Sequence, residues 1–220
     1  FWGSIVMLAY TFFGGFLALL YVATNRLSFV TIGLGMFALG AWFFSSTVAH
    51  VHDRVEIWLD PFKPSVVDDK GYQIAQSLFA QADGGVLGQG FGQALLELPG
   101  GQTLLPAPHT DLIYSVITDE LGLVGACGVI VVYLLIAERG FRIATLARDS
   151  FSKLLATGLT AVFALQVFVI VGGVTRVIPL TGVTLPFISY GGSSIVANFV
   201  LLALLLLVSD RARREAVRAP

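Results

Sequence analysis

Three carboxylates lie within one stretch, Pro106 to Gly122 (PAPHTDLIYSVITDELG), where a polar loop runs into an apolar segment. Asp111 stands at the mouth. Asp119 and Glu120 follow about 12–14 Å further in, at 1.5 Å per helical residue. Ionisable groups that enter a bilayer are costly and mark function by default. Asp111 could serve as a general base at the water–lipid boundary. The structural alternative is a helix N-cap, which would also orient the carboxylate. Asp119 and Glu120 fit either a ligand- or metal-binding polar cavity or snorkelling charges that tether a loop.

A second stretch, Ile178 to Ser194 (IPLTGVTLPFISYGGSS), opens the last apolar segment in the same way. Gly191, Gly192, Ser193 and Ser194 at a helix start would offer backbone N–H groups and hydroxyls to a phosphate. Arg176 would add positive charge. The structural alternatives are tight packing with a serine cap, and a lipid-headgroup contact. The run Gly84-Gly85-x-x-Gly88-x-Gly90-x-Gly92 has the letters of a dinucleotide loop but lacks the preceding strand and following helix. It reads instead as a flexible loop that lets backbone approach a ligand at Gly88 and Gly90. His50 and His52 have no supporting ligand set and read as surface residues. Cys127 stands alone and reads as a buried small apolar residue.

The elements that must position these groups are helices in a membrane. The chain of 220 residues is 56% hydrophobic and 12% charged, about half the charge of a soluble domain. Its apolar residues form five blocks of spanning length, at about 3–23, 28–48, 112–137, 154–175 and 190–209. Solid runs rather than alternation exclude a β-barrel. The expected fold is all-α, a polytopic membrane helical bundle of five transmembrane helices in a single domain.

Nine of the thirteen basic residues fall in the 24–27 turn, the 138–153 loop and the C-terminal tail. The positive-inside rule places these in the cytoplasm. The N-terminus and the 49–111 loop are then outside, and the 210–220 tail is cytoplasmic. Within the long loop, His50 to Pro64 reads as a polar run ending in the Asp60-Pro61 turn. Residues 71–82 place Tyr72, Ala75, Leu78 and Phe79 on one face of an amphipathic helix at the outer membrane surface. The outer loop is acidic, so membrane lipid is a partner and nucleic acid is not. A start at Phe1 without a signal-peptide pattern reads as a piece of a longer protein. An outward cavity with a base, further carboxylates and a phosphate cradle suits a lipid-linked phosphate substrate.

WLDP (Trp58–Pro61), GYQIAQSLFA (Gly71–Ala80), the glycine run, HTDLIYSVITDELGLVG (His109–Gly125) and PLTGVTLPFISYGGSS (Pro179–Ser194) occur in that order. By these motifs, over roughly 50–210, the chain resembles the C-terminal half of the SEDS family (RodA/FtsW/SpoVE). The wording around Val171–Gly182 is most similar to RodA-like members of actinobacterial type. The resemblance implies a peptidoglycan glycosyltransferase of the bacterial cytoplasmic membrane. It would polymerise lipid II into glycan strands with a class B penicillin-binding protein as partner. Asp111 matches the family's essential aspartate, which deprotonates the attacking sugar hydroxyl or stabilises the transition state. The candidate substrate contacts are His109, Thr110, Asp119, Glu120, Arg176, Gly191, Gly192, Ser193, Ser194, Gly88 and Gly90. Undecaprenyl pyrophosphate would leave, with a divalent cation (Mg or Mn) as natural partner and no organic cofactor.

Two departures stand out. The family has about ten spans, so the piece is expected to be inactive alone. Relatives also carry Asn where Ile170 stands, four residues after Gln166. The rival readings are a lipid II flippase and a non-catalytic scaffold for the transpeptidase. A flippase should carry polar groups through the midplane. Here the acids crowd the outer mouth, which favours the enzyme.

Overall fold

The computed structural model describes residues 13, 16–17, 19–47, 49–64, 67, 71–94, 105 and 108–218. The expected first span, 3–23, lies largely outside these residues, although 19–24 are helical. Most of the descent over 95–107 lies outside them as well. Six helices follow: α1 (Leu27–Thr47), α2 (Ala49–Leu59), α3 (Tyr72–Gly84), α4 (Ile113–Leu146), α5 (Ser150–Val174) and α6 (Gly192–Arg218). The chain is an all-α polytopic membrane bundle. Among the described residues three helices, in α4, α5 and α6, are long and apolar enough to cross a bilayer, and Leu27–Phe43 is a shorter apolar helix.

Short connections fix neighbours. Asn25 takes a positive φ of 52° and its N–H reaches the Tyr21 carbonyl at 2.7 Å, which turns the chain into α1. Three residues, 147–149, separate α4 from α5 and make them antiparallel. Asp149 caps α5: its Oδ2 accepts from the Ser152 N–H at 2.8 Å. Small residues let these helices approach closely, as expected where lipid supplies no hydrophobic drive between helices. A Cβ on Gly140 would lie 2.2 Å from Thr160 Oγ1. Near the same end, Ala144 and Ala156 join Leu205 and Val208 of α6 in a buried cluster.

The larger core lies toward the other end. Leu112, Phe163, Ile170, Val174 and Leu185 are fully buried there, joined by Ile57 of α2 and Ile74 of α3. The outward faces of α4–α6 expose Val131, Leu134, Leu135, Phe168, Leu206 and Leu207, the pattern of a lipid-facing surface. Cys127 is exposed on that surface, not buried as its type suggested.

Three expectations need correction. The polar run from His50 is not an open loop: it forms α2, which ends before Pro61, whose ring disfavours helix at the preceding residue. The helix at 71–82 has protein, not lipid, against its buried face. α3 packs into the bundle through Ile74, Ala75 and Ser77, while Phe79, assigned to its apolar face, is 48% exposed and lies tilted against Phe62. Ser77 and Ser115 share a buried hydrogen bond at 2.7 Å, and Gln81 Nε2 donates to the Val174 carbonyl at 3.1 Å. These polar contacts make the burial of α3 tolerable. Lastly, α4 extends to Leu146 rather than stopping at 137, and it is broken at Gly122.

Two outcomes test this packing. Gly140→Val should destabilise the bundle by about 1–3 kcal/mol through overpacking against Thr160, measurable as a lower thermal unfolding midpoint in detergent. The Ser152 N–H holds the Asp149 carboxyl below its ordinary value of 3.8. Its contribution is therefore complete above pH 3.8 and is lost as pH falls through the lower folded value. The midpoint difference between wild type and Asp149→Ala should stay constant at neutral pH and shrink in that acid window.

Candidate active site

The site begins with the break in α4. Gly122 has φ 66° and ψ −170°, a conformation open to glycine. The break strands carbonyls before it and N–H groups after it, and the glycine run supplies the partners. Gln89 and Gly90 donate N–H groups to the carbonyls of Asp119 and Glu120, each at 2.9 Å. Leu123 and Val124 donate to the carbonyls of Gly85 and Val86 at 2.9 and 3.2 Å. The approach is backbone against backbone: a Cβ on Gly88 would lie 2.2 Å from the Glu120 carbonyl oxygen. Gly88 and Gly90 therefore grip α4 rather than wait for a ligand. Asp119 is buried beside this junction and Glu120 is half-buried.

The 175–191 loop is fixed from several sides. The Arg176 guanidinium donates to the carbonyls of Trp58 (3.0 Å) and Leu59 (3.1 Å) at the end of α2. The Trp58 indole returns a bond to the Arg176 carbonyl at 2.9 Å. Arg54 donates to the Leu180 carbonyl, Gln166 to Thr184 at 2.9 Å, and the Tyr133 hydroxyl to Pro186. Tyr190 donates its N–H to the His109 carbonyl at 2.7 Å, and the two rings meet edge to face. Ser194 accepts from Thr184 Oγ1 at 2.7 Å, while Gly192 and Ser193 are exposed.

Between α2, α3 and these loops lies a cavity of about 290 Å³, lined by Asp53, Arg54, Ile57, Gln73, Ile74, Asp111 and Leu180. Asp111 does not cap α4: Leu112 holds the cap position and no side chain bonds there. Instead Thr110 Oγ1 donates to Asp111 Oδ1 at 2.9 Å, and Oδ2 lies 3.7 Å from where a Cβ on Gly182 would sit. Gly182 has φ +70°, so the turn beside the carboxylate suits glycine. The arrangement puts an acceptor and a guanidinium in one half-open recess, chemistry suited to moving a proton beside an anionic group.

Of the residues singled out by sequence, Asp111 alone lines this recess, with Thr110 bonded to it and His109 next in the chain. Asp119, Glu120, Arg176, Gly191, Gly192, Ser193, Ser194, Gly88 and Gly90 are not in its lining. Arg176 bonds carbonyls of α2 outside the cavity, and the cation in the lining is Arg54, which also bonds the Leu180 carbonyl. Sequence reasoning passed over Asp53, Arg54, Gln73 and Gly182. A helical reading of 49–59 would have placed Asp53 and Ile57 four apart on one face, with Arg54 beside them.

Residues 3–214 match the FTSW_RODA_SPOVE family, described as "Cell cycle protein". The chain belongs to that family. It is 48% identical over 214 residues to "Peptidoglycan glycosyltransferase RodA" of Mycobacterium tuberculosis (strain ATCC 25618 / H37Rv), covering 97% of this chain and 43% of that one. It is 36% identical over 201 residues to "Probable peptidoglycan glycosyltransferase FtsW" of Geobacter sp. (strain M18), covering 91% and 53%. The chain thus spans about half or less of the length of these relatives. In structure it is similar to a chain from work on "Structural coordination of polymerization and crosslinking by a peptidoglycan synthase complex". That match has a TM-score of 0.68 at 27% identity, over 90% of this chain and 54% of that one.

Gly182→Ala tests the recess. The methyl would strain a positive-φ turn beside the Asp111 carboxylate by roughly 1–3 kcal/mol, so the activity of the full-length protein should fall about tenfold. Activity equal to wild type would show that this turn does not shape the recess.

Proposed function

We propose that this protein acts as a peptidoglycan glycosyltransferase, polymerising lipid II into glycan strands outside the bacterial cytoplasmic membrane. The observation that carries the reading is the placement of Asp111: its carboxylate lines a recess beside Arg54 instead of capping α4. The names of the mycobacterial relatives support the same activity. Five spans, with the N-terminal side outside and the C-terminus in the cytoplasm, complete the proposal and put the recess on the outer face.

In the proposed step Asp111 takes the proton from the attacking sugar hydroxyl. The oxygen bonds to the donor's anomeric carbon with inversion, and the bond to the pyrophosphate breaks. Undecaprenyl pyrophosphate leaves, and the Arg54 guanidinium offsets its developing charge. Thr110 holds one Asp111 oxygen, which orients the other toward the recess. Gln73 supplies amide hydrogen-bonding groups for sugar hydroxyls. Among the described residues no group of three or more His, Cys, Asp or Glu could hold a metal ion. The recess does hold two carboxylates, Asp53 and Asp111, and Mg²⁺ is usually held by one or two carboxylates plus substrate phosphates. Asp53 would hold such a cation together with the substrate phosphates, whose charge it would neutralise, leaving Asp111 to take the proton. A class B penicillin-binding protein is the proposed crosslinking partner.

Full-length protein with that partner, assayed for lipid II polymerisation, tests the reading. Asp111→Asn should lower the rate by roughly 10²–10⁴-fold, the range of general acid–base catalysis, with folding and partner binding retained. Undiminished glycan strands from the variant would remove the carboxylate from the chemistry.

A further inference from the structure

The glycine run grips α4 at one particular height. Between Glu120 and Glu138 lie 17 residues with no charged side chain. As helix they measure about 25 Å, close to the thickness of a bilayer's hydrocarbon core, about 30 Å. Glu120 therefore marks one border of the membrane. The 85–92 turn is bonded across that border, to the carbonyls of Asp119 and Glu120 above it and to the N–H groups of Leu123 and Val124 below it.

The tip of the turn is apolar and, among the described residues, uncovered. Leu87 is 81% exposed and Phe91 80%, and Val86 is also exposed. Beside them on α4, Leu123 and Val124 are exposed in the first turn beyond the border. The segment 84–96 carries no charge, with Asp83 and Glu97 flanking it. Its backbone is also supplied from within. Besides the four bonds to α4, Gly85 donates to Ala82 at 3.3 Å, Gly88 to Gly84 at 2.8 Å and Gln93 to Gly90 at 3.2 Å. Irregular backbone is tolerated at membrane depth only where its polar groups have partners other than water. A tip in water would need no such provision and would not present leucine and phenylalanine at that exposure.

We propose that the 85–92 turn is a membrane-seated wedge, with Val86, Leu87 and Phe91 inserted in the leaflet from which α4 starts and the lipid acyl–headgroup boundary as their partner. The bonds to residues 119 and 120 then couple the depth of the wedge to segment 113–121, and so to the height of Asp111 above the lipid. The wedge is independent of the reaction Asp111 performs.

Site-directed spin labelling tests it, using the full-length protein without other proteins in vesicles of phosphatidylcholine and phosphatidylglycerol. In a Cys127→Ala background, nitroxides are attached to Leu87→Cys and Phe91→Cys. Val131→Cys marks the lipid-facing mid-span, Leu123→Cys the border and Lys63→Cys the aqueous side. Collision with oxygen is compared with collision with a water-soluble nickel chelate. The labels at 87 and 91 should favour oxygen, with depth values near that of 123 and between those of 63 and 131. A preference for nickel equal to that at 63 would place the turn in water and assign its apolar tip to a protein surface. A preference for oxygen that arises only on adding the transpeptidase partner would overturn the proposal in the same way.

Discussion

A backbone amide in hydrocarbon must find a partner within the protein, and that requirement organises the half of this molecule that holds Asp111. α4 does not cross as an uninterrupted helix. It breaks at Gly122, and the break would leave two carbonyls and two N–H groups without partners. The turn after α3 supplies all four. This exchange explains several features at once. Glycine is required at 122 for its positive φ, and at 84 and 88 because a Cβ there would strike the α4 backbone. α3 must sit deep in the bundle, since its C-terminal end leads directly into the turn that repairs the break.

The opposite wall is built by a similar reciprocity between groups that are not in regular structure. Arg176 and Trp58 exchange side-chain-to-carbonyl bonds, so the end of α2 and the start of the 175–191 loop cannot move separately. Arg54, one turn earlier on α2, reaches the same loop at Leu180. With Gln166, Tyr133 and His109 holding the remainder, the loop becomes a rigid wall although it contains no helix or strand. Rigid support matters because a base that is misplaced by an ångström loses much of its effect. Asp111 stands between the two walls, held by Thr110 and flanked by Gly182, which leaves its second oxygen beside open space.

Charge is distributed with the same economy. Among the described residues at the Asp111 end, Arg176 ties loop to helix, Arg54 does so too and lies in the recess with the carboxylates, and Lys63 pairs with Glu56 in an exposed ion pair at 2.6 Å. Such an exposed pair adds little to stability, but it keeps Lys63 engaged outside the recess. Asp119 and Glu120 contribute their backbone carbonyls to the junction with the glycine run.

Composition alone determined that the chain is a helical membrane protein, because block length and the scarcity of charge are properties of sequence that a bilayer reads directly. The spans of α5 and α6 were legible for the same reason, as were the motifs that mark the family and the position of Asp111 at a helix mouth. The tertiary structure decided the rest. Apolar periodicity shows that a face of α3 is covered but not by what, so lipid was expected where protein stands. The helix at 49–59 escaped notice because Asp53 and Arg54 turn to a recess and a loop carbonyl while Glu56 pairs at the surface, so its polar residues do not fall on one water-facing side. Arg176 and Arg54 are equivalent as charges in a sequence. Both bond backbone carbonyls more than a hundred residues away, and only the folded chain puts Arg54, not Arg176, in the lining of the recess, because such partners are set by packing, not by local spacing.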